Sequence, residues 1–153
     1  KKDTNAQLVL VGEGPQKEYF LEVVKDYPQK IKSRIFMPGF VDNVRLKRLY
    51  EKAYVFAMPS IGEGFGLVYL EAMRYSIPCI AVNSHAAPEL VNDGMTGLLI
   101  DDPNSHQEVL EALMWIMENP AECKKMGKAG YQLYCENYLY SKFRERFLKI
   151  IAQ

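Results

Sequence analysis

A pair of glutamates, Glu63 and Glu71, brackets two glycines, Gly64 and Gly66, where a stretch of helical periodicity begins. Glycine has no Cβ, so backbone N–H groups can approach a ligand closely, and first-turn N–H groups bind anions with the help of the helix dipole. A diphosphate therefore fits this helix mouth without any lysine. Helical side chains lean towards the N-terminus, so Glu71 can reach back and accept hydrogen bonds from a ribose diol. Glu63 would stand on the other side of the phosphates, where a sugar would lie.

Each glutamate also has a purely structural interpretation. Ser60-x-x-Glu63 fits a capping box, although the two glycines that follow are poor first-turn residues. Glu71 is equally compatible with a solvated helix position, which is the usual place of a glutamate. Its apolar neighbours are predicted to be buried: Leu67, Leu70 and Met73. The spacing alone leaves these interpretations open.

Strands and helices must hold these residues in place, and the sequence predicts them. Short apolar runs, typical of buried strands, alternate with segments of helical periodicity. Leu8–Val11 is a continuous apolar run ended by a glycine and is predicted to be a strand buried on both faces. Later strands are predicted at Arg34–Met37, Val55–Met58, Cys79–Val82 and Leu98–Ile100. Helices are predicted from Pro15 to Tyr27, from a cap at Asp42 or Asn43, from Gly66 to Tyr75, and in a short turn at Pro88–Val91. This order predicts an α/β fold with a doubly wound parallel sheet.

The last third of the chain is predicted to be helical. Ser105-x-x-Glu108 indicates a capping box, Asn119-Pro120 breaks the helix that it starts, and further helices are predicted at 120–137 and 141–151. The prediction is thus an α/β sheet over about 1–103 and a helical C-terminal tail over 104–153. No length of chain is left over for a second domain.

Composition excludes several classes of protein. Lysine plus arginine and aspartate plus glutamate number 19 each, so bulk charge does not favour nucleic acid or an anionic membrane as a partner. Three separated cysteines fit neither a metal site nor a disulfide framework and indicate a cytoplasmic location. No apolar run approaches the roughly 18 residues of a membrane span, and the start lacks the core of a signal peptide. Because an apolar strand follows almost at once, we expect the chain to be cut from a longer protein.

Ligands of doubly wound sheets bind at the carboxyl ends of the strands. Four loops are expected there: Gly12–Pro15, Met37–Phe40, Pro59–Gly66 and Asn83–Glu89. The third carries both glycines of the helix mouth. The fourth contains His85, which is either a ligand contact or ordinary polar surface.

Ordered motifs run through the chain at consistent spacing. They read Leu10-Val11-Gly12-Glu13-Gly14-Pro15, Gly39-Phe40-Val41, Pro59-Ser60-x-x-Glu63-Gly64-Phe65-Gly66-Leu67-x-x-Leu70-Glu71-Ala72-Met73, Ile77-Pro78-Cys79-Ile80-Ala81 and Pro88-Glu89-Leu90-Val91-x-Asp93-Gly94-x-Thr96-Gly97-Leu98-Leu99. Over about residues 7–138 the chain resembles the donor-binding, C-terminal half of retaining GT-B glycosyltransferases of family four. The resemblance implies a single nucleotide-sugar-binding domain, 1–153, truncated at its N-terminus.

The resemblance also implies roles for individual residues. Glu71 would bind the ribose hydroxyls of the donor nucleotide, and Glu63 would contact the donor sugar as the catalytic glutamate. Backbone groups of the helix mouth would meet sugar and diphosphate: Gly64, Phe65, Gly66 and Leu67. Gly39 and Phe40 would meet the nucleobase through main-chain contacts. The implied substrate is a nucleotide sugar such as a UDP- or GDP-sugar, with neither metal nor cofactor, and the acceptor glycan or lipid would bind the missing N-terminal half.

Some features depart from the family pattern. His85-Ala86 replaces a pair of glycines, and no lysine or arginine matches the family's diphosphate clamp. The resemblance places the last helix against the partner half, so part of its apolar face is expected to be exposed. The tail aromatics are otherwise predicted to pack: Tyr131, Tyr134, Tyr138, Tyr140, Phe143 and Phe147.

The function classes that stay open are three. The first is the donor half of a glycosyltransferase, inactive alone and located in the cytoplasm, with peripheral membrane association of the full-length protein as an option. The second is a non-catalytic nucleotide-binding module or half of a sugar-nucleotide epimerase. The third, a flavodoxin-like signalling domain, would need an acidic cluster at the strand ends, and none follows Val11, Met58 or Val82.

Overall fold

The computed structural model describes residues 5–152, so the predicted start of the domain at residues 1–4 and its last residue, 153, lie outside the described part. The strands are β1 (Leu8–Val11), β2 (Ile35–Gly39), β3 (Phe56–Met58), β4 (Cys79–Val82) and β5 (Gly97–Ile100). The helices are α1 (Lys17–Lys25), α2 (Gln29–Lys32), α3 (Asn43–Lys52), α4 (Leu67–Arg74), α5 (Ala87–Leu90), α6 (His106–Glu118), α7 (Pro120–Asn137) and α8 (Tyr140–Ile151). All strand pairs are parallel, which confirms the predicted α/β fold with its helical C-terminal tail.

The chain divides into two compact units, with the boundary between Leu49 and Tyr50. In the first unit β1 pairs with β2, and the second strand runs through Pro38 to Gly39, beyond its predicted end. Both strands of a two-stranded sheet are edges, where proline is tolerated. The prediction that Leu8–Val11 is buried on both faces is wrong. Its four side chains are 36–45% exposed, because only β2 flanks this strand.

The second unit contains a three-stranded sheet in the order β3-β4-β5. The middle strand, β4, matches its predicted bounds and is buried at every position. One side of the core centres on Tyr69 and Met73 of α4, and a second cluster joins Ile80 and Val82 to Ile116 of α6. Burial raises the pKa of the Cys79 thiol to about 12, so this cysteine is a packing residue.

The helix starts follow their predicted caps in two cases. Asp42 Oδ1 accepts a hydrogen bond from the Arg45 N–H at 2.7 Å, and Ser105 Oγ accepts one from the Glu108 N–H at 3.2 Å. The reciprocal half of the predicted capping box is absent among the described residues. The Glu108 carboxylate instead accepts from the Asp101 and Asp102 N–H groups at 2.7 and 3.2 Å, which ties the end of β5 to α6. The short helix α2 was not predicted.

The C-terminal helices differ in how deeply they pack. Tyr134 and Tyr138 of the α7 region pack against the core around Tyr69. On α8, Tyr140 is 78% and Phe143 61% exposed, which confirms that part of the last helix's apolar face is exposed. No helix of the described residues is long and apolar enough to cross a membrane.

The end of α4 offers a direct test of backbone strain. Ile77 N–H donates to Ala72 O and Ser76 N–H to Met73 O, at 3.2 and 2.9 Å, the pattern of a Schellman cap. Ser76 sits at its left-handed position with φ 58°, a conformation that disfavours any residue with a Cβ by roughly 1–2 kcal/mol.

We therefore expect Ser76→Gly to raise the free energy of unfolding by about 1 kcal/mol in urea denaturation, since glycine adopts this conformation freely. Ser141→Gly, the same change within α8, is the matched control and should lower stability by a few tenths of a kcal/mol. A Ser76→Gly chain no more stable than the wild type would contradict the strain at this cap.

Candidate functional site

Gly66 defines the mouth of α4. It caps the helix in the left-handed conformation, with φ 64° and ψ 32°. A Cβ there would lie 2.8 Å from Tyr69 Cδ2 and 3.0 Å from Leu90 Cδ1, so only glycine fits both the backbone angle and the space. Among the described residues no side chain caps this helix. The Tyr69 N–H donates to Gly66 O at 3.0 Å, which leaves the N–H groups of Leu67 and Val68 in the first turn for a ligand or for water.

The alternative role of Ser60 as a helix cap is wrong. The helix begins only at Leu67, and Ser60 N–H donates to Met58 O in a tight turn after β3. Its hydroxyl is buried and has no hydrogen-bond partner in the described part of the chain. Ser84, just after the neighbouring strand β4, has a hydroxyl in the same condition. Buried hydroxyls are normally hydrogen-bonded to protein, water or a ligand, and these two lie where neighbouring parallel strands end.

The loop before α4 presents the predicted contact residues at the surface. Glu63 is half-buried and Gly64 exposed, and Phe65 is 79% exposed. Leu67 is 60% exposed, so its predicted burial is wrong. It occupies the first helical position, where it faces outwards beside the loop, whereas Met73 further along α4 is fully buried. Gly64, Phe65 and Leu67 are thus exposed at the helix mouth, while Gly66 between them is buried.

Tyr69 ties this mouth to the sheet. Its side chain is fully buried, and its hydroxyl donates to Met58 O at 3.0 Å. Burial raises the pKa of Tyr69 to about 12, and the nearby negative charge of Glu63 contributes to the same shift.

Glu71 has a partner that was not predicted. The Tyr50 hydroxyl donates to Glu71 Oε2 at 3.0 Å, and the glutamate side chain is exposed. Tyr50 lies in α3, the helix that was predicted from a cap at Asp42 or Asn43. The two residues are 21 positions apart, and no local pattern links them, so only the fold could reveal the contact.

The fourth loop holds His85 in an unusual conformation. His85 is exposed and has φ 53°, the left-handed region that disfavours residues with a Cβ. It follows β4 and precedes α5, whose Leu90 packs against the position of Gly66. The helix that follows this loop therefore packs beside the helix mouth. Both alternatives for His85, a ligand contact and ordinary polar surface, stay predictions.

Gly39 and Phe40 lie in the first unit. Gly39 ends β2 with φ 70°, and a Cβ there would lie 2.5 Å from Glu13 Oε1. Gly12 N–H donates to Gly39 O at 2.9 Å, so two of the four predicted ligand loops lie side by side. They border a shallow concavity of about 350 Å³ that Glu13, Pro15 and Met37 help to line. Phe40 is 82% exposed and available for a flat ligand.

Residues 5–152 contain no group of three histidine, cysteine, aspartate or glutamate side chains placed to hold a metal ion. The described cysteines are free, with Cys79 and Cys123 buried.

Comparison with known proteins shows the family of the chain. The family model for "Glycosyl transferases group 1" matches residues 1–133. A relative from Mycobacterium tuberculosis, the GDP-mannose-dependent alpha-(1-6)-phosphatidylinositol monomannoside mannosyltransferase, is 35% identical over 132 residues, which cover 82% of this chain and 34% of the relative. The chain spans about a third of the length of the curated relatives that it matches over most of its residues.

Solved structures agree on the fold. HepE from Anabaena in complex with UDP superposes with a TM-score of 0.82 at 20% identity and covers 96% of this chain and 41% of HepE. The C-terminal domain of the glycosyl transferase group 1 family protein LpcC from Francisella tularensis gives 0.77 at 28% identity, covering 88% of this chain and 70% of that domain.

The fold is that of the Rossmann-like, C-terminal domain of a GT-B glycosyltransferase. The match over residues 1–133 shows that the chain belongs to the Glycosyl transferases group 1 family.

Proposed function

We propose that this chain is the donor-binding domain of a retaining glycosyltransferase of family four, which moves a sugar from a nucleoside-diphosphate sugar to a glycan or lipid-linked acceptor. One observation carries the proposal: an uncapped helix mouth defined by Gly66, with the acidic residues Glu63 and Glu71 on either side of its glycines. Anionic phosphates and sugar hydroxyls are the groups that such a mouth and such carboxylates bind.

In this proposal each residue has one task. The backbone N–H groups of the loop and helix start at Gly64–Leu67 bind the diphosphate, and Glu71 accepts hydrogen bonds from the ribose hydroxyls. Glu63 contacts the donor sugar and stabilises positive charge at its anomeric carbon. Gly39 and Phe40 contact the nucleobase through the main chain. Gly64, Phe65, Leu67, Glu71 and Phe40 are exposed and Glu63 is half-buried, which supports these tasks; the buried Gly66 and Gly39 contribute backbone.

The reaction is a substitution on the front face of the sugar, with retention of configuration. The acceptor's hydroxyl oxygen forms a bond to the anomeric carbon on the face from which the diphosphate leaves. The bond from the anomeric carbon to the diphosphate breaks, the diphosphate takes its electron pair, and the acceptor's hydroxyl proton passes to the departing phosphate oxygen. Donors fixed in advance at the α4 mouth lower the barrier because they stabilise the charge that develops there. Neither a metal nor a cofactor has a part in this proposal.

The acceptor binds outside this chain, which spans only 34% of the mannosyltransferase relative. We therefore expect the isolated chain to bind donor but not to transfer sugar. The names of similar proteins include GDP-mannose and UDP, which sets the range of nucleotides to test. We propose a cytoplasmic location, with the full-length protein at the membrane surface if its acceptor is a lipid.

Isothermal titration calorimetry of the chain against UDP, GDP and ADP, and against their sugar nucleotides, tests the proposal. We expect one base to be preferred, with a dissociation constant of about 1 mM or below, equivalent to about −4 kcal/mol. Pyrophosphate and the matching nucleoside serve as controls, and each should bind more weakly than the diphosphate. Failure of every nucleotide to bind at millimolar concentration would contradict a donor site in this chain.

A further inference from the structure

Tyr50 and Glu71 form a pair at the outer face of α4. The Tyr50 hydroxyl donates to Glu71 Oε2 at 3.0 Å. Within the described residues no lysine or arginine makes an ion pair with Glu71, so this hydroxyl is the group that restrains an otherwise exposed side chain. A carboxylate has about four acceptor positions on two oxygens, and one hydrogen bond leaves the others available.

The hydroxyl of Tyr50 is itself held in place by aromatic packing. Its ring stacks on Tyr75 with a centroid distance of 5.4 Å and an interplanar angle of 4°, and it meets Phe56 at 6.1 Å. Tyr75 caps the far end of α4 and Phe56 starts β3. The donor is thus fixed by residues of α4 and β3, at the ends of these two elements that lie away from the helix mouth.

The Tyr50 hydroxyl keeps the proton that it needs to donate a hydrogen bond to Glu71. Burial raises the pKa of Tyr50 above its ordinary value, and its hydrogen bond to Glu71 and the charge of that carboxylate raise it further. A phenol with a raised pKa keeps its proton throughout the neutral range. Tyr50 therefore stays available as a donor to Glu71 throughout the neutral range.

We propose that Tyr50 is the positioning residue of the donor site: it holds Glu71 in one orientation so that the carboxylate accepts the ribose hydroxyls without first being ordered. This inference rests on the proposed function. A flexible glutamate loses rotamer freedom when it binds a ligand, and a side chain that is fixed beforehand avoids that loss. The benefit of Tyr50 then depends on the presence of ribose hydroxyls.

The competing explanation is a structural tie, in which the pair only fastens α3 to α4. Such a tie would affect stability and the affinity for all nucleotides alike. A ribonucleoside diphosphate and its 2′,3′-dideoxy counterpart separate the two explanations, because the second has no hydroxyl for Glu71 to accept.

The experiment is calorimetric titration of the wild-type chain, Tyr50→Phe and Tyr75→Phe with UDP and 2′,3′-dideoxy-UDP, or with the guanine pair if GDP is the base preferred. We expect Tyr50→Phe to weaken binding of the ribonucleotide about fivefold and to leave the dideoxy compound within about twofold of the wild type. Tyr75→Phe keeps the stacked ring and should change neither. In a Glu71→Gln background, where the charged acceptor is gone, the effect of Tyr50→Phe should shrink.

Equal weakening for the ribo- and dideoxy-nucleotides, or no weakening at all, overturns the positioning role while leaving the donor site intact. A wild-type chain that binds neither nucleotide overturns the donor site and, with it, this inference. The melting temperature of Tyr50→Phe, followed by circular dichroism, separates a loss of fold from a loss of affinity. A variant that is folded at the temperature of titration gives a decisive answer in either direction.

Discussion

Gly127→Ala is expected to lower the free energy of unfolding by about 3 kcal/mol, near the upper end of the usual range for overpacking. Helix propensity alone would predict the opposite sign, because Gly127 lies inside α7 and alanine is the better helix former by about 1 kcal/mol. A Cβ at this position would overlap the carbonyl oxygen of Ser76 and lie 2.8 Å from the carbonyl carbon. These are backbone atoms at the end of α4, so the two helices would have to separate.

Urea denaturation of the wild-type chain and of Gly127→Ala measures this effect, and Gly130→Ala is the matched control. Gly130 lies in the same helix, but its Cβ would meet side chains and no backbone: Met73 Cγ at 3.1 Å, with Met73 Cβ and Thr96 Cβ at ordinary contact distances of 3.7 and 3.8 Å. We expect Gly130→Ala to cost about 1 kcal/mol or less, since the methionine can shift and helix propensity improves. A Gly127→Ala chain as stable as the wild type would contradict the close approach of α7 and the end of α4.

Glu71→Ala is expected to weaken binding of the preferred nucleoside diphosphate by about 10- to 100-fold. Hydrogen bonds to a charged group contribute about 1.5–3 kcal/mol each, and about 1.4 kcal/mol corresponds to a tenfold change in affinity. The substitution also leaves the Tyr50 hydroxyl without its acceptor. Because Glu71 is exposed, we expect stability to change little.

The same titration with Glu136→Ala provides the comparison for Glu71→Ala. Glu136 is an exposed helical glutamate of α7 that hydrogen-bonds Gln132 at 2.8 Å, so its loss alters charge and helix propensity in the same way. Equal affinities for the two variants would show that Glu71 has no direct part in binding. A loss confined to Glu71→Ala supports its contact with the ribose.

Much of the fold could be predicted because local signals and tertiary packing agree. The run Cys79–Val82 is uniformly apolar, and the corresponding strand β4 is buried between two neighbours. Asp42 and Ser105 cap the helices that follow them. At Gly66 the predicted need for glycine is met by both the backbone angle and the lack of space for a Cβ.

The predictions that were wrong depended on neighbours that a local pattern does not reveal. Leu8–Val11 has the composition of an interior strand but lies in a two-stranded sheet. Leu67 fits the apolar periodicity of α4, yet it sits at the first helical position beside an exposed loop. Ser60 has the spacing of a capping box, but the helix starts too late for it to act.

Some features of the candidate site could be predicted from the sequence, and others depend on the fold. Its glycines and glutamates could be predicted because their types and order are local. The Tyr50–Glu71 hydrogen bond joins residues 21 positions apart. His85 adopts a left-handed conformation, which its residue type does not predict. Both features arise from how loops and helices meet, so they follow only from the folded chain.

The most direct test of a donor site at the α4 mouth is a titration of the ¹⁵N-labelled chain with the preferred nucleoside diphosphate, followed by backbone amide chemical shifts. The site that we propose predicts saturable shifts at Gly64, Gly66 and Leu67, with much smaller shifts when the nucleoside replaces the diphosphate. Shifts confined to other parts of the chain, or none at millimolar ligand, would contradict phosphate binding at this helix.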